Sequence, residues 1–354
     1  MKRIFFNSYT KGNMESLIEY FNKNINDKNI EIIYKDNYLV RNNKIKRKLL
    51  RIKEFLKSYD LIVSDYSTSL YKKAKKGIYM SHGYGTKLTP GKEELNNIKV
   101  MNSYKLMREN TDYVITLSDR DETYFWKHDM LNSLKSPKYI PLGLPRNDIF
   151  FNDDYIQHCN IDIRKKLNLG EKKVALYCPT WRNYRTKEDE IFSIKELEKL
   201  NKSLKEKNWI LLIRQHYLSN IMERNHIKDM SNIVIADFDI EESTQKLLCA
   251  VDMLITDYSS IYVDYLILNR PIAFFPYDLN EYSEIRGLAI DYNNCEEVPG
   301  PQFENLSDIV KYIDNIENNN DEYEGYREKA RKIFYTNLDG DSCKRIWELI
   351  YEII

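Results

Sequence analysis

Along the chain, short apolar runs alternate with longer polar stretches of helical period. In the first half the runs are Arg3–Phe6, Ile30–Tyr34, Asp60–Ser64, Gly77–Ser81, Tyr113–Leu117 and Tyr139–Leu142. In the second they are Lys173–Cys178, Trp209–Arg214, Asn232–Ala236, Met253–Thr256, Pro271–Pro276 and Leu288–Asp291. Runs of this length between helix-period segments predict βαβ units, with parallel strands covered on both faces. Two such sets predict two doubly wound α/β domains. The Pro- and Gly-punctuated Pro141–Pro145, followed by Asn147–Gln157, places the boundary at residues 1–149 and 150–354. The closing stretch Tyr326–Ile354 reads as helical with a break at Asn337–Gly340, and its last helix is expected to pack back on the first domain.

One turn is written twice. Leu61–Ala74 reads LIVSDYSTSLYKKA and Ile255–Leu266 reads ITDYSSIYVDYL; each has an Asp before the apolar run (Asp60, Asp252) and an Asp-Tyr-Ser at its end (Asp65, Asp257). Two halves sharing one strand–turn–helix grammar account for the doubling. The first copy, with Asp65, Ser67 and Thr68, is expected to be a structural cap.

A chain of 354 residues suits two domains of ordinary size. Its 54 basic and 54 acidic residues cancel, which argues against a nucleic-acid partner. No apolar run approaches the roughly 18–20 residues of a membrane span, and no signal peptide is expected. The five cysteines contain no Cys-x-x-Cys pair, which fits reduced thiols in a cytoplasm and offers no metal framework. One segment departs from the even charge. Arg41–Lys57 holds eight basic residues against one acid, with Ile45, Leu49, Ile52 and Leu56 on one helical stripe. It is either a covering helix with a solvated basic face or a docking surface for an anionic membrane or polymer.

In open parallel sheets, ligands bind beyond the carboxyl ends of the strands, so the chemistry is sought just after the apolar runs. After Gly77–Ser81 comes SHGYGTK, in which Gly83 and Gly85 let the backbone bend and leave His82 as a general base or as a loop cap. After Trp209–Ile213 comes RQH. Arg214 and His216 share a face of an extended strand and suit a phosphate, or form a surface pair. YCPTWR brings Thr180, Trp181 and Arg182 to the next strand end, to stack a base, clamp a phosphate or plug an interface. At the second copy of the doubled turn, Ser259 or Ser260 is placed to cap a helix whose N-terminus also suits a phosphate. SDRDE, Ser118–Glu122, is read as a capped helix start in preference to a metal site.

Seven stretches in order, SHGYGTK, GLPRND, YCPTWR, RQH, TDYSSIYVDY, RPIAFFPYDLNEYSEIRG and PGP, resemble the CDP-glycerol glycerophosphotransferases, which build teichoic acids and related capsule polymers. The resemblance runs from about Gly77 to the C-terminus and includes the closing LDGDSCKRIWELI. It implies a GT-B fold of two Rossmann-like domains facing across a cleft, acceptor on the first and CDP-activated donor on the second. It implies transfer of a polyol phosphate, glycerol phosphate foremost, to a hydroxyl of a lipid-linked or polymeric acceptor, with release of CMP. His82 and His216 match the catalytic histidines. Arg214, Thr180, Trp181, Arg182, Thr256, Asp257, Ser259, Ser260 and Arg286 fall to the donor. Gly83, Gly85, Lys87 and Arg146 fall to the acceptor side or its loop. No metal ligand is expected and metal dependence stays open; CDP-glycerol or CDP-ribitol is the donor. The enzyme is expected at the inner face of a bacterial cell membrane, held peripherally through Arg41–Lys57. Where the family reads His-Gly-Thr-Pro, this chain reads His-Gly-Tyr-Gly-Thr-Lys, so the residues behind the histidine differ. The alternatives are a GT-B glycosyltransferase using a nucleotide sugar and a catalytically idle scaffold of a polymer synthase.

Overall fold

The computed structural model describes residues 1–36, 58–65, 74–121, 136–182, 184, 192–215 and 227–354. The basic segment Arg41–Lys57 and residues Ser67, Thr68, Glu122 and His216 lie outside them. The chain divides into two units, one of Met1–Phe151, Glu284–Ala289 and Phe334–Ile354, the other of Asn152–Ser283 and Ile290–Ile333.

In the first unit the described elements begin with β1 (Lys2–Ser8), α1 (Asn13–Tyr20), β2 (Ile30–Asp36), β3 (Tyr59–Ser64) and β4 (Ala74–Met80). α2 (Ile98–Glu109), β5 (Tyr113–Ile115) and β6 (Lys138–Ile140) follow. The strands form one parallel sheet in the order β2-β1-β3-β4-β5-β6. The second unit contains α3 (Asp153–Lys166), β7 (Lys173–Cys178), α4 (Ile194–Glu206), β8 (Trp209–Ile213), β9 (Ile233–Ile235), α5 (Thr244–Cys249) and β10 (Met253–Thr256). It continues through α6 (Ile261–Tyr265), β11 (Ile272–Phe274), α7 (Leu279–Ile285), α8 (Ser307–Glu317) and α9 (Glu324–Phe334). Its sheet is also parallel, ordered β11-β10-β7-β8-β9.

The last helix, α10 (Ser342–Ile353), belongs to the first unit. Its Ile346, Trp347 and Ile350 share a core with Met14 and Leu17 of α1 and with Ile4, Phe6, Val63 and Met80 of the sheet. Trp347 Nε1 donates to Leu17 O at 2.9 Å, so the indole is buried without an orphaned donor. Asp148 caps α10 from far along the chain, accepting from Ser342 N at 3.1 Å and Cys343 N at 2.8 Å. In the second unit, α4 starts at a capping box between Ser193 and Glu196 and buries Leu197, Leu200 and Leu204 in one core with Ile309 and Ile313 of α8.

One predicted run is not a strand. The backbone of Leu288–Asp291 turns elsewhere: Ala289 N donates to Thr86 O at 3.0 Å, and Leu288 forms an isolated antiparallel bridge with Lys87. A short apolar run without a neighbouring strand to pair with cannot join a ladder.

The doubled turn has a geometric cause. The strand order reverses between β1 and β3 in one sheet and between β7 and β10 in the other. At both reversals the two acids clip the later strand to the first. Asp60 accepts from Arg3 N at 2.9 Å and Asp252 from Val174 N at 2.8 Å, at the amino ends. At the carboxyl ends Asp65 accepts from Tyr9 N at 2.8 Å and Thr10 N at 3.0 Å, while Asp257 accepts from Thr180 N at 2.8 Å. The motif therefore marks the topological switch point of each sheet, where ligand loops diverge.

Candidate active site

His82 sits on an exposed bend just past β4. The loop that carries it is held by its main chain. Arg146, nearly buried, donates Nη1 to the His82 carbonyl, and its own N–H donates to Asn13 Oδ1 at 3.2 Å. Asn13 in turn donates Nδ2 to Ser81 O at 3.2 Å. Gly83 N donates to Ser81 Oγ at 3.3 Å and Gly85 N to Asp121 Oδ1 at 3.1 Å. Tyr84 buries its ring edge-on against Phe334, centroids 4.7 Å apart. The bend falls at His82–Gly83, and neither Gly83 nor Gly85 takes a left-handed backbone. Lys87, half-buried, continues this arm through its bridge to Leu288.

The sequence sets Asp121 aside as a helix start; the structure makes it the buried brace of the His82 loop. Its carboxylate also accepts from Leu117 N at 3.3 Å, and burial pushes its pKa up to about 7. Burial likewise pushes Asp65 up to about 6, against its bonds to Tyr9 and Thr10. A carboxyl whose folded pKa lies above its unfolded value favours the fold most when protonated. The stability it contributes is full below about pH 4 and is lost as pH rises through about 7. Thermal unfolding from pH 4 to 8 is therefore expected to show the wild type losing ground to Asp121→Asn as pH rises. Parallel curves would contradict a buried, neutral-pH carboxyl at this position.

In the second unit a guanidinium joins the carboxyl ends of β7, β10 and β11. Arg182 Nη1 lies 2.8 Å from Asp257 Oδ2, while Nε and Nη2 fork onto Asp278 at 2.6 and 2.7 Å. The group packs over the rings of Tyr277, Tyr258 and Tyr282, at 4.6, 5.3 and 5.6 Å from their centroids. Burial works against its charge, but Asp257 and Asp278 outweigh this and raise its pKa. Burial also opposes ionised Asp278, yet the bonds from Arg182 hold its pKa below the ordinary carboxylate value. Tyr258 and Tyr184 donate their hydroxyls to Asp278 at 2.9 and 3.2 Å.

The expected donor residues thus divide. Asp257 and Arg182 are buried and engage each other. Thr256 bonds Cys178 O through Oγ1 at 2.7 Å. Arg214 is 2% exposed, and its fork reaches the carbonyls of Ala236, Glu241 and Glu242 at 2.8–3.2 Å over the ring of Phe238. It braces the loop after β9. Arg286 belongs to the first unit and pairs with Glu94 at 2.7 Å. Ser260 occupies the N-cap position of α6 but makes no capping bond, and α6 is only five residues long. Trp181, 38% exposed, remains at the surface of this strand-end cluster, with Ser259, Ser260 and Thr180 half-buried beside it. Thr180 Oγ1 is buried and has no hydrogen-bond partner among the described residues. Among those residues no cluster of acids, histidines or cysteines could hold a metal ion.

The family model of CDP-glycerol:poly(glycerophosphate) glycerophosphotransferase matches residues 1–352. The chain belongs to this family. The teichoic acid poly(glycerol phosphate) polymerase of Staphylococcus epidermidis is 31% identical over 310 residues, which are 82% of this chain and 41% of that protein. The teichoic acid glycerol-phosphate transferase of Staphylococcus aureus is 28% identical over 304 residues, 80% of this chain and 73% of that one. The chain therefore spans less than half of the first relative and about three quarters of the second. A solved structure of the wall teichoic acid polymerase TagF, in a variant soaked with CDPG, superposes with a TM-score of 0.76 at 25% identity, covering 99% of this chain and 88% of that one. The two parallel sheets fit the GT-B fold of that structure.

Proposed function

We propose that this glycerophosphotransferase transfers glycerol phosphate from CDP-glycerol to a hydroxyl of a lipid-linked or polymeric acceptor. The observation that carries this reading is the family match across residues 1–352. His82, exposed on a braced loop at a strand's carboxyl end, takes the proton of the acceptor hydroxyl. The acceptor oxygen bonds to the β-phosphorus of the donor, the phosphorus–oxygen bond to CMP breaks, and CMP leaves with that electron pair. Charge on the transferring and leaving phosphates is met by the hydroxyls of Ser259 and Ser260 and by His216. Exposed Trp181 suits a stacking contact with the cytosine. Among the described residues no helix is long and apolar enough to cross a membrane. The eight basic residues of Arg41–Lys57 support contact with an anionic membrane surface at the cytoplasmic face.

The test is a donor panel of CDP-glycerol, CDP-ribitol and UDP-sugars. It is run with acceptor in free solution and on anionic vesicles, reading nucleotide release and product mass. CMP from CDP-glycerol with a mass gain of one glycerol phosphate is expected, faster on vesicles. UDP release would replace this reading with a glycosyltransferase, and CMP from CDP-ribitol alone would change the polyol. Silence with every donor would point to a scaffold.

A further inference from the structure

The arm that leads away from His82 is gripped by a segment from late in the sequence. Gly287–Ala289 lie antiparallel to Thr86–Leu88 at the Lys87–Leu288 bridge, within the first unit. Leu88 N donates to Gly287 O at 3.2 Å, Lys92 N to Arg286 O at 3.1 Å and Ala289 N to Thr86 O at 3.0 Å. The Arg286 side chain extends this contact to Glu94. One oxygen of Glu94 accepts from Arg286 Nη1 and from Gly91 N, each at 2.7 Å, and from the Tyr104 hydroxyl at 3.2 Å. Glu93 adds a second contact to the guanidinium at 3.4 Å. The fit leaves little room. A Cβ on Gly91 would lie 1.7 Å from Arg286 Nη1, and one on Gly287, at φ +82°, would meet Leu88 Cδ1 at 2.5 Å.

We propose that Arg286 is a positioning residue for the His82 loop, acting through Glu94 and the Thr86–Lys92 arm, and not a donor ligand. The proposal rests on the assignment of His82 as the base. Two magnitudes separate this role from a stabilising one. The Arg286 and Glu94 side chains are 21% and 26% exposed, and an ion pair of that kind contributes little to stability. A misplacement of a reacting group by about 1 Å, in contrast, costs about 10²-fold in rate. Arg286 therefore matters more for where the loop sits than for whether the unit folds. Lysine keeps the charge on Glu94 but loses the planar fork, so it restores only part of the geometry.

The experiment compares Arg286→Ala, Arg286→Lys and Glu94→Gln with wild type. It reads kcat and KM for CDP-glycerol, calorimetric binding of CDP-glycerol, and hydrogen exchange across residues 86–92. Arg286→Ala is expected to lower kcat by about 10–100-fold, leave donor affinity within about twofold, and speed exchange along the arm. Arg286→Lys is expected to recover part of each loss, and Glu94→Gln to resemble the alanine variant. A fall in donor affinity parallel to the fall in kcat would return Arg286 to the donor site and overturn the proposal. Unchanged exchange, or faster exchange with unchanged kcat, would overturn it as well. His82→Ala run alongside keeps the two claims apart. If that variant turns over normally, the base assignment falls, while the exchange measurement still decides whether Arg286 fixes the arm.

Discussion

Replacing His82 with alanine is expected to lower CMP release by about 10²–10⁴-fold, the usual contribution of a positioned general base, while CDP-glycerol still binds. The clean separation follows from how the loop is built. Arg146 reaches the carbonyl of His82, Gly83 N reaches Ser81, and Gly85 N reaches Asp121. All three bonds use main-chain atoms of the loop, so the substitution removes an exposed ring and leaves the scaffold. Steady-state CMP release and calorimetric titration with CDP-glycerol read the two halves of this expectation. Near-wild-type release would dismiss His82 as the base. A variant that lost donor binding in the same proportion would make the histidine a donor contact.

The alternation of apolar runs was enough to read parallel strands and two sheets, because buried parallel strands must be apolar on both faces. Leu288–Asp291 carried the same signal and misled, since a run of four residues says nothing about whether a strand lies beside it. The repeat of Asp60…Asp65 in Asp252…Asp257 was visible as a repeat. Its purpose was not, because the acids bond strands far away in sequence, β1 and β7, and the strand order had to be known first. Side chains at strand ends were harder still. Arg182 and Arg214 looked alike as candidate phosphate clamps, and both are buried among protein acceptors. The partner that decides Arg182 is Asp278, 96 residues away, and Arg286 finds Glu94 at a separation of 192. A spacing rule of a few residues cannot reach such pairs. Asp278 carried one usable signal, an acid two residues past a strand-ending proline, Pro276, in a tyrosine-rich stretch. His82 was legible for the opposite reason. Its loop is local, and the bend falls at the His82–Gly83 step of its motif.

Arg182→Met is expected to destabilise the second unit by about 3–5 kcal/mol near neutral pH, the usual effect of removing one partner from a buried ion pair. Methionine fills much of the space and can lie against Tyr258, Tyr277 and Tyr282, so lost packing is a minor part of the change. The major part is electrostatic: Asp257 and Asp278, with side chains 0% and 3% exposed, would be left facing one another without a cation. The pH dependence fixes the sign. Arg182 holds Asp278 below its ordinary pKa, so the stability this pairing contributes is present above about pH 4 and is lost as pH falls through the folded value. The gap between wild type and Arg182→Met should therefore be widest near pH 7 and narrow in acid, where Asp278 takes up a proton. Adding Asp278→Asn to Arg182→Met should recover part of the loss, because one buried charge is then removed with its partner. Urea unfolding of the single and double variants at pH 7 and pH 4.5 measures each of these differences. A single variant within about 1 kcal/mol of wild type at pH 7, where a buried pair should cost several times that, would mean that solvent reaches the triad. The carboxyl ends of β7, β10 and β11 would then be held by their hydrogen bonds and packing instead of by the guanidinium.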